Sequence, residues 1–476
     1  MKIVILWTDA VMLALVIAVL WYAALVRATP HLAQTWRRAF RNTTGAVTAT
    51  LLALFVAVGL ADSLHYRPLL ANASASAPVY APVTYSVLDA LLKPLVDSRE
   101  KTYSAPLAWI GFQKEATVGA DGQATRDYPR LDHGGAHLKN PDAQWTGDVL
   151  RRALGGLALG ALAALLIAAL TAAWVARRRA GSGVGTPGQT PIAAAWDDIA
   201  AGRTAFPVRA VIATLAVVAL IAGPVAALAG HYHVLGTDRT GQDLLLLALK
   251  SIRTALVIGS MTTLVTLPIA VGLGILAGYL RGWVDEVVQY VYTVINSIPY
   301  VLLIAASVLI LLLFIDRNAA MFATAAERTD ARLFFLCVIL GMTSWTELCR
   351  LVRGEVLKLR ELEYVQAAQA FGTSTWRIMT AHLLPNVMHL ILINIVISFS
   401  GLVLAEAVLT YVGVGVDPSM ASFGSLINTA RTELSRDPTI WWTLATAFTF
   451  MFTLVLSANL FSDAVRDAFD PRSVRR

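Results

Sequence analysis

Three polar side chains stand inside long apolar runs and are the first candidates for chemistry. Glu347, Asn394 and Glu406 sit among Leu, Ile, Val and Ala. A carboxylate at mid-span costs about 2.5–3.5 kcal/mol on insertion scales, so it usually faces a bundle interior or an aqueous path. Arg350 follows Glu347 by three residues, a spacing that favours an ion pair on one helix face and a structural role. Glu406 and Asn394 are candidates for the lining of a translocation path, with a bond to a neighbouring helix as the alternative for Glu406. Two histidine pairs, His133/His137 and His231/His233, have spacings that superficially resemble metal sites. Neither has a third ligand, so solvated or interfacial histidines are expected and no metal site. Cys337 and Cys349 share one apolar segment; they are too few for a disulfide scaffold or a thiolate site and read as buried free thiols. The phosphate-cradling pattern GxxxxGK[ST] is absent, so no ATPase is expected in this chain. No clustered His, Cys or carboxylate set supports a membrane enzyme, and no catalytic residue is assigned.

The elements that must hold these side chains are membrane helices. The chain is 57% hydrophobic and 14% charged, with a mean hydropathy of +0.63; soluble domains carry about 25% charged residues. The net charge of +7 reflects arginines at the ends of apolar runs, where lipid headgroups and the positive-inside rule account for them; a nucleic-acid partner is not implied. A span needs about 20 apolar residues. Candidates lie at roughly 5–26, 44–61, 153–175, 209–230, 254–280, 290–315, 333–351, 387–412 and 440–461, about nine helices in an all-α polytopic membrane protein. The first reads as an uncleaved anchor: no small-x-small cleavage site follows it, but Arg27, Arg37, Arg38 and Arg41 do. These place its C-terminal end inside and its N-terminus outside. Asp9 weakens that span. An odd number of spans then puts the C-terminus in the cytoplasm, and Arg466, Arg472, Arg475 and Arg476 agree, as do Arg177–Arg179 after the third span.

The expected organisation is 1–60 as N-terminal membrane helices, 61–148 as an extracytoplasmic segment, 149–176 as an additional membrane helix, 177–205 as a cytoplasmic linker, and 206–476 as the transport domain. The segment 61–148 holds eight Lys/Arg and ten Asp/Glu. It also carries Tyr80, Tyr85, Leu88, Leu95, Tyr103, Trp109 and Phe112, enough to bury, so a modest ordered cap is expected. The stretch AGSGVGTPGQTP, 180–191, reads as a flexible linker. In LGTDRTGQD, Leu235–Asp243, Gly236 and Gly241 suit turns and Asp238 and Asp243 suit helix caps; a structural turn is at least as good a reading as solute contact.

One polar stretch between apolar runs, EYVQAAQAFGTSTWRIMTAHLLPN over Glu363–Asn386, spells two short helices with a sharp turn. Helix formers run from Glu363 to Phe371, Gly372 tolerates a left-handed stop, and Thr373, Ser374 and Thr375 offer capping oxygens. A second helix is expected through Trp376, Arg377 and Ile378 toward Pro385. Ala367 and Ala368 put little bulk on one side, leaving room for another protein's backbone.

This stretch resembles the EAA loop of permease subunits of bacterial ABC importers, within them the C-type permeases of dipeptide and oligopeptide importers. Ala367, Ala368, Gly372, Leu384 and Pro385 fall on the pattern, and Glu363 matches an acidic position; Gln366 departs from it, standing where the motif has its glutamate. LVRGEVLKLRELEY (Leu351–Tyr364), LGTDRTGQD, GYLRGWVDE (Gly278–Glu286), LAEAVLTYVGVGV (Leu404–Val416) and SDAVRDAFDPR (Ser462–Arg472) are similar to further family runs, so the resemblance covers roughly 206–472. It implies a six-helix permease core in the bacterial inner membrane, with the loop docking on an ATPase subunit and Ala368 facing that subunit's groove. It also implies as partners two ATP-binding subunits that use the ATP, a second permease and a periplasmic solute-binding protein. No cofactor is then bound by this chain. The competing class is a secondary transporter driven by an ion gradient, which would show discontinuous helices and inverted repeats; neither is visible in the sequence.

Overall fold

Apolar runs set the helices, and prolines, glycines and charges set their ends. The computed structural model describes residues 2–69, 80–118, 124–180, 191–318, 321–322 and 324–469. The linker over 181–190 and the tail carrying Arg472, Arg475 and Arg476 lie outside the described residues. Among the described residues nine helices are long and apolar enough to cross a membrane, and the chain is an all-α polytopic one.

Strand β1 (Lys2–Val4) leads into α1 (Trp7–Ala28), the short α2 (Pro30–Arg41) and α3 (Thr43–Ser63). Between α3 and the next long helix lie β2 (His65–Arg67), β3 (Tyr85–Ser86), α4 (Val87–Leu91), α5 (Lys93–Asp97), β4 (Glu115–Val118) and β5 (Ala124–Asp127). β1, β2 and β3 form an antiparallel sheet, with Lys2 opposite Arg67 and Tyr66 opposite Tyr85. β4 and β5 form a hairpin. Then follow α6 (Pro141–Ala180), α7 (Pro191–Ala200), α8 (Val208–Ala229), α9 (Leu244–Leu280), α10 (Gly282–Ser297), α11 (Tyr300–Arg317) and α12 (Ala325–Arg360). The chain closes with α13 (Glu363–Ala370), α14 (Thr375–Arg377), α15 (Leu384–Tyr411), α16 (Phe423–Glu433) and α17 (Trp442–Phe469).

The apolar run 290–315 reads as one span, but the structure divides it. α10 stops at Ser297, Ile298 is extended (ψ 130°), and α11 starts after Pro299. Proline disfavours the helical conformation in the residue before it, and this break overrides the hydropathy. α9 and α12 are longer than their apolar windows, at 37 and 36 residues. Each is about 55 Å long, beyond the roughly 30 Å of a bilayer core. They pack on each other and, with α15 and α17, form the centre of the bundle. α6 and α8 make a separate close pair. A Cβ on Gly223 would lie 2.2 Å from the Gly156 carbonyl oxygen, so the two backbones touch as only small residues allow.

A buried charged cluster fastens α1 to the centre. Arg253 on α9, 4% exposed, donates to Asp9 Oδ1 at 2.6 Å and to Thr8 Oγ1 at 2.9 Å. The Thr8 N–H donates to Asp330 Oδ2 of α12 at 3.1 Å, and His65 Nδ1 lies 2.7 Å from Asp9 Oδ2. Asp9, which reads as a blemish in an apolar run, is here the anchor of that run.

Candidate functional site

The loop between α12 and α15 is built from two short helices and a left-handed turn. Val365 is fully buried and pins α13 to the bundle. At the end of α13 the Gly372 N–H donates to the Gln369 carbonyl (2.9 Å) and the Thr373 N–H to the Ala368 carbonyl (3.0 Å). Gly372 has φ +73°, and this pair of bonds about a left-handed residue is the Schellman stop. Ser374 takes the cap position of α14, without a side-chain cap bond. The second helix is not a separate regular one: α14 runs into a π-helical turn, Ile378–Leu383, which continues into α15. Pro385 lies at the start of α15. A proline lacks an N–H and its ring crowds the preceding turn; the wider turn in front of it relieves both.

The loop's two faces differ. Glu363, Gln366, Ala367, Ala370 and Phe371 are exposed, at helical spacing. Ala368, expected to face outward, is half-buried against the cluster that holds Val365, so Ala367 is the small residue that faces out. In an eight-residue helix a one-residue error of phase turns a side chain by about 100°, and the alanine pair carries no signal to fix that phase. Gln366 Nε2 donates to the Glu361 carbonyl at 3.2 Å, a bond that a carboxylate at this position has no proton to make. Pro385 is exposed. Phe371 is 88% exposed and Trp376 70%, two large apolar groups that mark a contact surface. Sequence reading passed over both, although Phe371 falls on the outward face with Glu363, Gln366, Ala367 and Ala370.

The intramembrane polar groups part company. Arg350 does not pair with Glu347 as its spacing suggests; its guanidinium lies over the Tyr292 ring, 5.0 Å from the centroid. Glu347 is exposed and lines a small cavity with Thr263, Thr266, Ser344, Asn394 and Ser398, among α9, α12 and α15. Asn394 Oδ1 accepts from Ser398 Oγ at 3.2 Å. Glu406 is elsewhere, about 18 Å along α15 from Asn394 by helical rise. It is 1% exposed, accepts from Thr410 Oγ1 at 2.8 Å and faces Ser422 and Gly424 at the start of α16. A carboxylate there complements a helix N-terminus, so Glu406 ties α15 to α16, the alternative reading of that residue, and lies outside the cavity. Cys337 and Cys349 are buried and unpaired.

The far end of the bundle is locked by polar contacts. The Glu100 carboxylate accepts from the N–H groups of Asp132 (2.9 Å), His133 (2.8 Å) and Gly134 (3.0 Å). Burial pushes the Glu100 carboxyl up, but His233 and the three N–H groups outweigh it and hold it at about 2. His233 Nδ1 lies 2.8 Å from Asp243 Oδ2, and Nε2 lies 3.4 Å from Glu100 Oε1. Burial lowers the affinity of His233 for its proton, yet the two carboxylates raise its pKa to about 9. Asp243 Oδ1 also caps α9 by accepting from the Leu245 N–H. Trp442 Nε1 donates to the Thr237 carbonyl at 3.1 Å, and Thr237 Oγ1 accepts from the Ser104 N–H at 2.6 Å. The run Leu235–Asp243 is thus the structural turn that joins residues 100–104 and 132–134 to α9 and α17. His137 pairs with Asp148 at 2.7 Å, its ring 5.0 Å from that of His231.

Residues 270–475 match the family described as the binding-protein-dependent transport system inner membrane component. The chain is 31% identical over 249 residues to the oligopeptide transport system permease protein OppC of Mycobacterium tuberculosis, covering 52% of this chain and 79% of that protein. It is 33% identical over 241 residues to the dipeptide transport system permease protein DppC of Lactococcus lactis (51% and 64% covered). It is 30% identical over 242 residues to the glutathione transport system permease protein GsiD of Pectobacterium atrosepticum (50% and 73% covered). With the loop, the bundle and these similarities in place, an ion-gradient-driven secondary transporter is set aside: the chain belongs to the binding-protein-dependent inner-membrane permeases, the membrane subunits of ABC importers.

Proposed function

We propose that this chain forms one half of the path by which an ATP-driven importer takes up peptides or similar small solutes, delivered by a periplasmic binding protein. A second permease supplies the other half. One of two ATP-binding subunits docks on the loop Glu363–Arg377, with Glu363, Gln366, Ala367, Phe371 and Gly372 at the contact and Ala368 and Pro385 setting its shape; the other docks on the second permease, and ATP is used by those subunits alone. The chain itself catalyses no reaction and binds no cofactor. The observation that carries this reading is the loop: a rigid stop at Gly372 presents Phe371 and Trp376 to solvent, a surface that needs a partner. The names of the relatives support peptides as the cargo. Arginine placement favours the loop and the C-terminal tail in the cytoplasm and residues 61–148 in the periplasm.

Purified alone, the chain neither hydrolyses ATP nor moves solute; with the ATP-binding subunits and the second permease in vesicles, a dipeptide accumulates when ATP is added. Accumulation on a proton or sodium gradient without those subunits overturns the proposal. Lys114→Cys labels with an impermeant thiol reagent from the periplasmic side and Ala201→Cys does not; the reverse pattern overturns the orientation.

A further inference from the structure

The cavity beside Glu347 has a composition that membrane packing does not explain. Glu347 has no hydrogen-bond or ion-pair partner among the described residues, and Arg350, the nearest cation in sequence, is turned onto Tyr292. Three of the surrounding hydroxyl protons are committed. Thr263 Oγ1 donates to the Gly259 carbonyl (2.7 Å), Thr266 Oγ1 to the Thr262 carbonyl (2.9 Å), and Ser398 Oγ to Asn394 Oδ1 (3.2 Å). What these oxygens have left is lone pairs. The cavity therefore offers a carboxylate and several acceptor oxygens, with the Asn394 amide as a neutral donor beside them, on a face of α12 that this chain leaves uncovered. An anion would meet negative charge and lone pairs there. A group with a positive charge and several protons would find a partner for each. The cavity measures about 50 Å³, room for a head group the size of one or two waters and not for a whole solute.

We propose that Glu347, with the oxygens of Thr263, Thr266 and Ser398, is a recognition station for a primary ammonium group on the transported solute. This rests on the reading of the chain as half of a solute path. It adds that the path selects cargo by a positive end, as a peptide's free amino terminus or a lysine side chain presents.

Two measurements on the full chain, in cells that make it with its partners, test this. In the first, Ser344→Cys is reacted in membranes with an aminoethyl methanethiosulfonate, whose head is a primary ammonium, and with its sulfonate counterpart, the chain without that cysteine giving the background. The cationic reagent reacts about tenfold faster, the scale set by one nearby carboxylate in a partly aqueous site. Adding Glu347→Gln brings the ratio near one, and Glu347→Asp keeps it. In the second, uptake of a dipeptide with a free amino terminus falls about tenfold in Glu347→Gln, at unchanged abundance of the chain, while the N-acetylated dipeptide is little affected. A ratio near one with Glu347 present, or no reaction with either reagent, overturns the station. So does equal entry of the two dipeptides with no effect of Glu347→Gln, which leaves peptide import standing. A Glu347-dependent ratio with neither dipeptide entering keeps the cation site and removes peptides as the cargo.

Discussion

The two ends of the bundle solve opposite problems. At the end built on Leu235–Asp243, the polar groups of Glu100, His233, Thr237 and Trp442 have partners within the chain. At the other end the backbone of Glu363–Arg377 is as firmly fixed, by the Gly372 stop and the Val365 anchor, yet its large side chains point at nothing. The first end is closed on itself at this turn, and the second presents Phe371 and Trp376 to solvent. Burial alone does not separate structure from docking; the test is whether a rigid element leaves its apolar groups unmatched.

Substitutions should therefore fall into two phenotypes. Glu100→Ala removes the acceptor of three N–H groups and one of the two carboxylates beside His233, which keeps Asp243; each buried donor left unsatisfied costs about 1–3 kcal/mol. Thermal unfolding of the purified chain should show that loss, with low abundance in membranes. A variant of wild-type stability would mean that this end is not locked as described. Phe371→Ala should leave unfolding unchanged but weaken co-purification of the ATP-binding subunits by about 2 kcal/mol, roughly 30-fold, as for an aromatic anchor at an interface. Undiminished co-purification would remove Phe371 from the contact. A Cβ added at Gly372 meets no neighbouring atom within 4 Å, so the main cost of Gly372→Val is backbone strain, about 1–2 kcal/mol at positive φ. It should distort the loop and impair transport with near-normal insertion, while Thr380→Ala, whose hydroxyl only donates to the Trp376 carbonyl, should be nearly silent.

The smallest effect is one of pH. His233 is raised from 6.5 to about 9, so its contribution is full below about pH 6.5 and is lost as pH rises through 9. Glu100 is lowered from 4.5 to about 2, so its contribution is full above about pH 4.5 and is lost as pH falls toward 2. Limited proteolysis of residues 80–140 should be slowest between about pH 4.5 and 6.5 and should quicken toward pH 9, while the loop at Gly372 shows no such window. A flat profile at the first end would break the comparison.

The sequence made some of this legible and hid the rest for physical reasons. Long apolar runs announce themselves, and the turn at Gly372 is visible because one residue type dominates that conformation. The break before Pro299 lies inside an apolar run, where hydropathy averages over it. The charged ends of α9 and α12 fall outside hydropathy windows although the helices continue through them. The pairing of Arg253 with Asp9 spans the chain from α1 to α9, and no local pattern links them. The orientation of Glu347 depends on where Arg350 goes, and Tyr292 on another helix decides that.

α12 runs unbroken from Asp330, beside Arg253, to Arg360, where the loop begins. That stretch is a stiff rod of about 46 Å, and tilting it by about 5° about one end moves the other by about 4 Å. Glu347 lies on this rod between its ends. A push on α13 is thus geared along α12, and the lever ratio is set by the length of one helix.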